Sequence, residues 1–94
     1  MRLIEQQMNE AISTRANQWA KDNTSVMYIP QLDQSSIYLH GHHIAFYDHT
    51  KGTMVPNLDT FRSWPTATTR SRLRALGVNA SIKNFEATID GVTL

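Results

Sequence analysis

The stretch Ser36-Ile37-Tyr38-Leu39-His40-Gly41-His42-His43-Ile44-Ala45-Phe46-Tyr47 decides the fold. β-branched and aromatic residues flank a glycine on both sides, the pattern of two strands joined by a tight turn. With Gly41 and His42 as the two central turn residues, His40 pairs with His43, Leu39 with Ile44, Tyr38 with Ala45 and Ile37 with Phe46. Side chains alternate along a strand. This register therefore gathers Ile37, Leu39, Ile44 and Phe46 on one face and Tyr38, His40, His43, Ala45 and Tyr47 on the other. A slip of one residue would mix the two sets.

Toward the C-terminus, Asp90-Gly91 is a second tight-turn signal that pairs Ile89 with Val92 and Ala87 with Leu94 on one face, leaving Thr88 and Thr93 on the other. Another strand is predicted from about Val78 to Ile82, turning near Lys83-Asn84. On the N-terminal side, Val26 to Ile29 reads as a strand closed by Pro30. Before it, Ile4, Met8, Ala11, Ile12, Ala16 and Trp19 recur every three or four residues, the stripe of a helix over about 2–21 that Asp22, Asn23 and Thr24 stop. Gly52 to Pro65 reads as a connection with one helical turn near Asp59 to Trp64. A second helix is expected over about 66–76, with Thr66 as its N-cap, Gly77 just past its end, and Thr69, Leu73 and Leu76 facing inward.

These elements predict an α+β fold: an antiparallel sheet of about five or six strands, with the helices over about 2–21 and 66–76 packed on one face. The 94 residues suffice for a single domain, and 40% hydrophobic against 18% charged is far from a disordered composition. The domain is expected to stand alone or as a small homo-oligomer. No cysteine is present, which removes disulfides, thiolate metal sites and thiol chemistry. Met1 to Asn9 does not have the form of a secretory signal, and no run approaches the roughly 20 apolar residues of a membrane span, so no membrane partner is expected.

Net charge is +1, but it is unevenly spread. From Arg62 to Lys83 there are five basic residues and no acidic one, leaving four basic against eight acidic elsewhere. Arg62, Arg70, Arg72 and Arg74 are thus candidates for contacting a partner, as are the neighbouring Phe61 and Trp64, since Trp and Arg are enriched among residues that dominate binding energy. Tyr38 and Tyr47, placed on one face with His40 and His43, are candidates for stacking on nucleic-acid bases.

Catalytic signals are weak. His40 and His43, opposed across the turn with Cβ atoms about 5 Å apart, could share a metal ion, but His49 and Asp48 lie too far along the strand to complete a site. No serine stands at a glycine elbow, and no phosphate loop, HExxH or dinucleotide fingerprint occurs, so no cofactor is implied.

Leu39-His-Gly-His-His-Ile-Ala45, the opening Met1-Arg-Leu-Ile-Glu-Gln-Gln-Met8, and the long stretch from Pro56 to Val78 containing Thr68-Thr-Arg-Ser-Arg-Leu73 resemble a group of short proteins encoded by tailed, podophage-like bacteriophages. The resemblance covers most of the chain. It implies a viral source, an accessory role in the host cytoplasm and a compact fold, and brings no activity or site residue with it. The sequence thus points to a non-enzymatic protein that binds a host or defence protein through Phe61, Arg62, Trp64, Arg70, Arg72 and Arg74. The alternatives are a nucleic-acid binder using the basic segment 62–83 with Tyr38 and Tyr47, and a small metal-dependent enzyme using His40 and His43.

Overall fold

The computed structural model, which describes residues 1–94, closes the central hairpin at His40-Gly41, one residue earlier than the expected Gly41-His42. Both turn residues are left-handed, with φ of 52° and 78°. A turn of this kind favours glycine second and tolerates His, Asn or Asp first, which is why Gly41 takes the later place. Leu39 therefore pairs with His42 and Tyr38 with His43, after which the register shifts and Ile37 pairs with Ala45. The extra residue, Ile44, forms a β-bulge, a local irregularity that lets two successive side chains share a face. Ile44 and Ala45 are both buried, together with Ile37 and Leu39. Beyond the bulge the strand's faces are reversed from the expectation: Phe46 joins Tyr38 and His43 outside, while Ala45 and Tyr47 turn inward.

In chain order the elements are α1 (Leu3–Ser13), β1 (Gln18–Lys21), β2 (Thr24–Ile29), β3 (Gln34–Leu39), β4 (His42–Asp48), β5 (Thr53–Pro56), α2 (Leu58–Ser63), α3 (Ala67–Ala75), β6 (Ala80–Lys83), β7 (Glu86–Ile89) and β8 (Val92–Thr93). The α+β class is as expected. The strands, however, divide into an antiparallel meander β1-β2-β3-β4-β5 and a separate antiparallel sheet β6-β7-β8.

The first helix is shorter than its apolar stripe. Thr14 accepts the role of C-cap and donates its hydroxyl to Glu10 O at 2.8 Å, and Arg15 turns left-handed at φ 52°. Trp19 then lies in β1 opposite Val26 and packs on the core from a strand, so its periodicity with Ala16 was a coincidence of spacing. Asp22-Asn23, expected to stop a helix, instead links β1 to β2 through the Lys21–Thr24 pair. The strand β5, inside the expected connection Gly52 to Pro65, forms the far edge of the meander. Its last residue, Pro56, lacks an N–H, and such residues discourage pairing with another chain's edge.

One face of the meander is covered. α1 packs on β1 and β2, α2 on β4 and β7, and α3 on β4 and β6, enclosing Met8, Ala11, Ile12, Val26, Ile37, Leu39, Ile44, Phe61 and Leu73. Asn9 fixes the crossing of α1 and α3 by donating from Nδ2 to Ala75 O at 3.0 Å. The helix α3 starts where expected: Thr66 Oγ1 accepts from Thr69 N at 3.2 Å, and Gly77 follows at φ 93°.

The C-terminal sheet follows its reading more closely. Asp90-Gly91 is left-handed at both residues, Ile89 pairs with Val92, and Leu94 N donates to Ala87 O at 3.0 Å. Val92, on the edge strand β8, nevertheless stands in water, while on β7 the neighbours Ala87 and Thr88, which point to opposite faces, are both buried. The preceding turn falls at Asn84-Phe85, one residue later than expected, with φ of 52° and 64°. Phe85 is 98% exposed, so its left-handed conformation is offset by no packing. Phe85→Gly is expected to raise stability by roughly 0.5–1 kcal/mol, read as a higher urea midpoint at unchanged m-value.

Candidate functional site

The basic segment is sorted by burial. Arg72 lies inside, 3% exposed, where its guanidinium donates to Glu5 Oε2 at 2.9 Å, Thr24 Oγ1 at 2.9 Å and Asn23 Oδ1 at 3.3 Å. Glu5, also 3% exposed, takes a further bond from Ser71 Oγ at 2.5 Å and one from the Arg2 N–H at 3.2 Å. Burial acts against the Glu5 charge, yet the bonds from Ser71, the Arg2 N–H and Arg72 outweigh it and hold the carboxyl below its ordinary range. Arg72 is therefore a structural ion-pair partner and not a surface contact. Phe61 is likewise unavailable at 1% exposed. A signal for both was present: positions 69, 72, 73 and 76 form one helical stripe, and Phe61 lies at the centre of a helix whose other residues are largely polar.

Arg62, Trp64 and Arg74 are exposed, and Arg70 is half-buried. Arg62 pairs with Asp59 at 2.9 Å on the surface of α2. Trp64 ends that helix, its N–H donating to Thr60 O at 2.9 Å, and Pro65 then separates it from the Thr66 cap of α3. The indole stacks on His42 from the tip of the central hairpin, ring centres 5.1 Å apart and planes within 24°. Beneath the pair is a pocket of about 230 Å³ lined by Leu39, Ile44, Thr60, Trp64, Thr66 and Thr69, together with His40 and His42. Its walls are largely apolar, with threonine hydroxyls among the lining groups. Trp64 is half in water and half over this pocket. His42, the partner that positions it, was not singled out from the sequence.

The expected stacking surface does not assemble. Tyr38 is on the outer face of the meander, edge-on to His43 at 5.4 Å, whereas Tyr47 is on the covered face beside His49 at 4.9 Å. The bulge at Ile44 separates them. His40 and His43 are not opposed either, since His40 is in the turn and His43 pairs with Tyr38. Asn57 holds His43 in place, donating from Nδ2 to Nδ1 at 3.1 Å while its Oδ1 caps α2 through Thr60 N. Burial pushes the His43 imidazole below its ordinary pKa. No three His, Asp or Glu side chains gather into a metal-ligating group.

Ser35 Oγ and His49 Nε2 lie 2.8 Å apart, the separation of a nucleophile and its base. Ser35 is fully buried, so no substrate reaches it. The pair belongs to a polar clasp that ties three connections together. Asp33 accepts from Arg15 Nε at 3.0 Å, Tyr28 Oη at 2.7 Å and Thr50 Oγ1 at 3.2 Å, and these bonds, Arg15 foremost, lower its pKa to about 2.

No helix is long and apolar enough to cross a membrane. No curated protein and no solved structure matches the chain. A phage family does, over nearly its full length, in agreement with the viral source implied by the stretches around Gly41 and Thr68. From Met1 to Thr93 the chain matches the Kyanoviridae Gp96 protein family, and it belongs to that family.

Proposed function

We propose that the protein is a non-enzymatic binding module, an accessory factor that binds and modulates a host or defence protein in the host cytoplasm through the surface around Trp64. The observation that carries this reading is Trp64 itself, 51% exposed and held over an apolar pocket. A single exposed aromatic is ordinary on a protein surface, but one held in place over an apolar pocket offers a partner apolar area at a fixed position. This one is fixed by a backbone bond, by Pro65 and by the His42 stack, so little conformational freedom is lost when a partner docks. Leu39 and Ile44 below it offer a seat for an apolar side chain of the partner. Arg62, two residues away in sequence and paired with Asp59, is exposed on the neighbouring helix surface, where a charged group favours orientation over affinity.

The test is capture of partners by the full chain from nuclease-treated host extract, followed by titration of the captured protein. Trp64→Ala is expected to weaken that binding by about 2 kcal/mol, or roughly thirtyfold, while thermal stability changes little. Binding anchored on an aromatic should also survive added salt that would abolish a phosphate-dependent contact. Capture that disappears with nuclease, or that is indifferent to Trp64→Ala, overturns the reading.

A further inference from the structure

Three arginines that belong to no ion pair converge elsewhere. Between the start of α1 and one flank of α3 runs an open cleft of about 460 Å³, lined by Arg2, Glu5, Arg70, Ser71 and Arg74 with Met1 and two alanines of α3 as apolar neighbours. Arg70 and Arg74 are one turn apart on α3, and Arg2, the N-cap residue of α1, lines the same cleft. We propose that this cleft is a phosphate-binding site, with Arg2, Arg70 and Arg74 supplying the donors.

Three observations support it. The ion pairs of the fold are Arg15–Asp33, Arg62–Asp59 and Arg72–Glu5, so none of the three cleft guanidiniums is matched by a carboxylate. Glu5, the acid on the cleft wall, is already compensated from the buried side by Arg72 and takes a bond from Ser71. The cleft therefore keeps the charge of three arginines. Second, Arg70 Nε is shielded from water and has no hydrogen-bond partner. A buried guanidinium N–H without an acceptor is unfavourable, so a turn of the Arg70 side chain that brings Nε to a ligand oxygen in the cleft relieves a cost the free protein carries. Third, Arg74 is tethered by its Nε to Ala80 O at 2.6 Å, which fixes the side chain and leaves its terminal nitrogens to bind.

Guanidinium forks match the oxygens of a phosphate in pairs, and three of them suit a doubly charged group better than a single carboxylate. The cleft is larger than one phosphate, leaving room for whatever carries it. Two carriers share this chemistry, a small phosphate ester and a nucleic-acid backbone. The site is separate from the Trp64 pocket and does not depend on the function proposed above.

The experiment titrates the full chain, in chloride buffer, with inorganic phosphate, a nucleoside 5′-monophosphate and a single-stranded oligonucleotide of about 15 nucleotides, following the arginine Nε–H resonances. The Arg70 Nε–H signal is expected to shift on saturation in the unmodified protein, a readout that needs no variant to fold. Arg70→Gln and Arg74→Gln should each weaken binding at least about tenfold, and Arg62→Gln, outside the cleft, by less than about twofold. Equal affinity for monophosphate and oligonucleotide identifies a small ester as the ligand. Much tighter oligonucleotide binding, with a log–log salt slope of about −2, identifies a nucleic-acid backbone. No shift of the Arg70 resonance with any probe up to about 10 mM, or equal losses from Arg62→Gln and Arg70→Gln, overturns the proposal.

Discussion

Arg72→Ala is expected to destabilise the fold by about 3–5 kcal/mol, enough to unfold much of a small domain whose whole stability is about 5–15 kcal/mol. The substitution leaves the Glu5 carboxylate, 3% exposed, without the cation that compensates it, and also strips a donor from Thr24 Oγ1 and Asn23 Oδ1. Taking both charges away should hurt less. Glu5→Leu with Arg72→Met is expected to recover part of the loss, because an apolar pair of similar volume fills the space without a buried charge. Recovery stays partial since Thr24, Asn23 and Ser71 lose their partners. Urea unfolding of the three chains measures this, and a loss below about 1 kcal/mol for Arg72→Ala would show that the pair does not tie α1 to α3.

The same pair sets the acid response. The Glu5 carboxyl is held below its ordinary value in the folded protein, so its contribution is fully present above the unfolded pKa near 4.5 and is lost as pH falls through the folded value. Asp33 acts in the same direction, its contribution fading between about 4 and about 2. Stability should therefore be level from about pH 7 to about pH 9, begin to fall below that range as the imidazole of His43, held below its ordinary pKa by burial, is protonated first in the unfolded chain, and fall further below about pH 5 as Glu5 and then Asp33 are protonated. Arg72→Ala should flatten the Glu5 part of that fall while leaving the Asp33 part.

Phe61→Ala is the second large effect, expected to cost about 3–5 kcal/mol through lost burial and the cavity left behind. Phe61 is among the largest fully buried side chains and lies where α2 meets β4 and β7, so the two sheets both lose a neighbour. The comparison with Trp64→Ala makes the result informative. These aromatics are three residues apart and looked interchangeable as contact candidates, yet one should govern stability and the other binding. Thermal unfolding of both variants separates them, and a Trp64→Ala loss as large as that of Phe61→Ala would mean that the indole is a lid on the core.

What was legible in the sequence were features governed by local backbone chemistry. Thr66 and Gly77 bracket α3, and Asp90-Gly91 turns the last hairpin, because capping and left-handed turns depend on a few adjacent residues. What failed were inferences that ran a pattern across a break in it. The apolar spacing from Ile4 continued through Trp19 although the helix ended at Ser13, and one bulge at Ile44 reversed every side chain after it. That reversal moved Tyr47 away from Tyr38 and removed the stacking surface. The candidate site was half legible: Trp64 was identified, but His42 and the pocket below it depend on packing between distant segments. Arg2, which completes the cleft with Arg70 and Arg74, is 68 positions from Arg70 and carries no mark of that proximity.

The bond between Glu5 and Arg72 joins residues 67 positions apart, whereas every pair in the meander joins consecutive strands. During synthesis the meander can form by closing short loops as each strand leaves the ribosome, while the opening helix has its buried carboxylate unmatched until the final quarter of the polypeptide emerges. A nascent chain stalled before residue 72 should accordingly keep its N-terminal segment open to protease, and lengthening it past α3 should close that window.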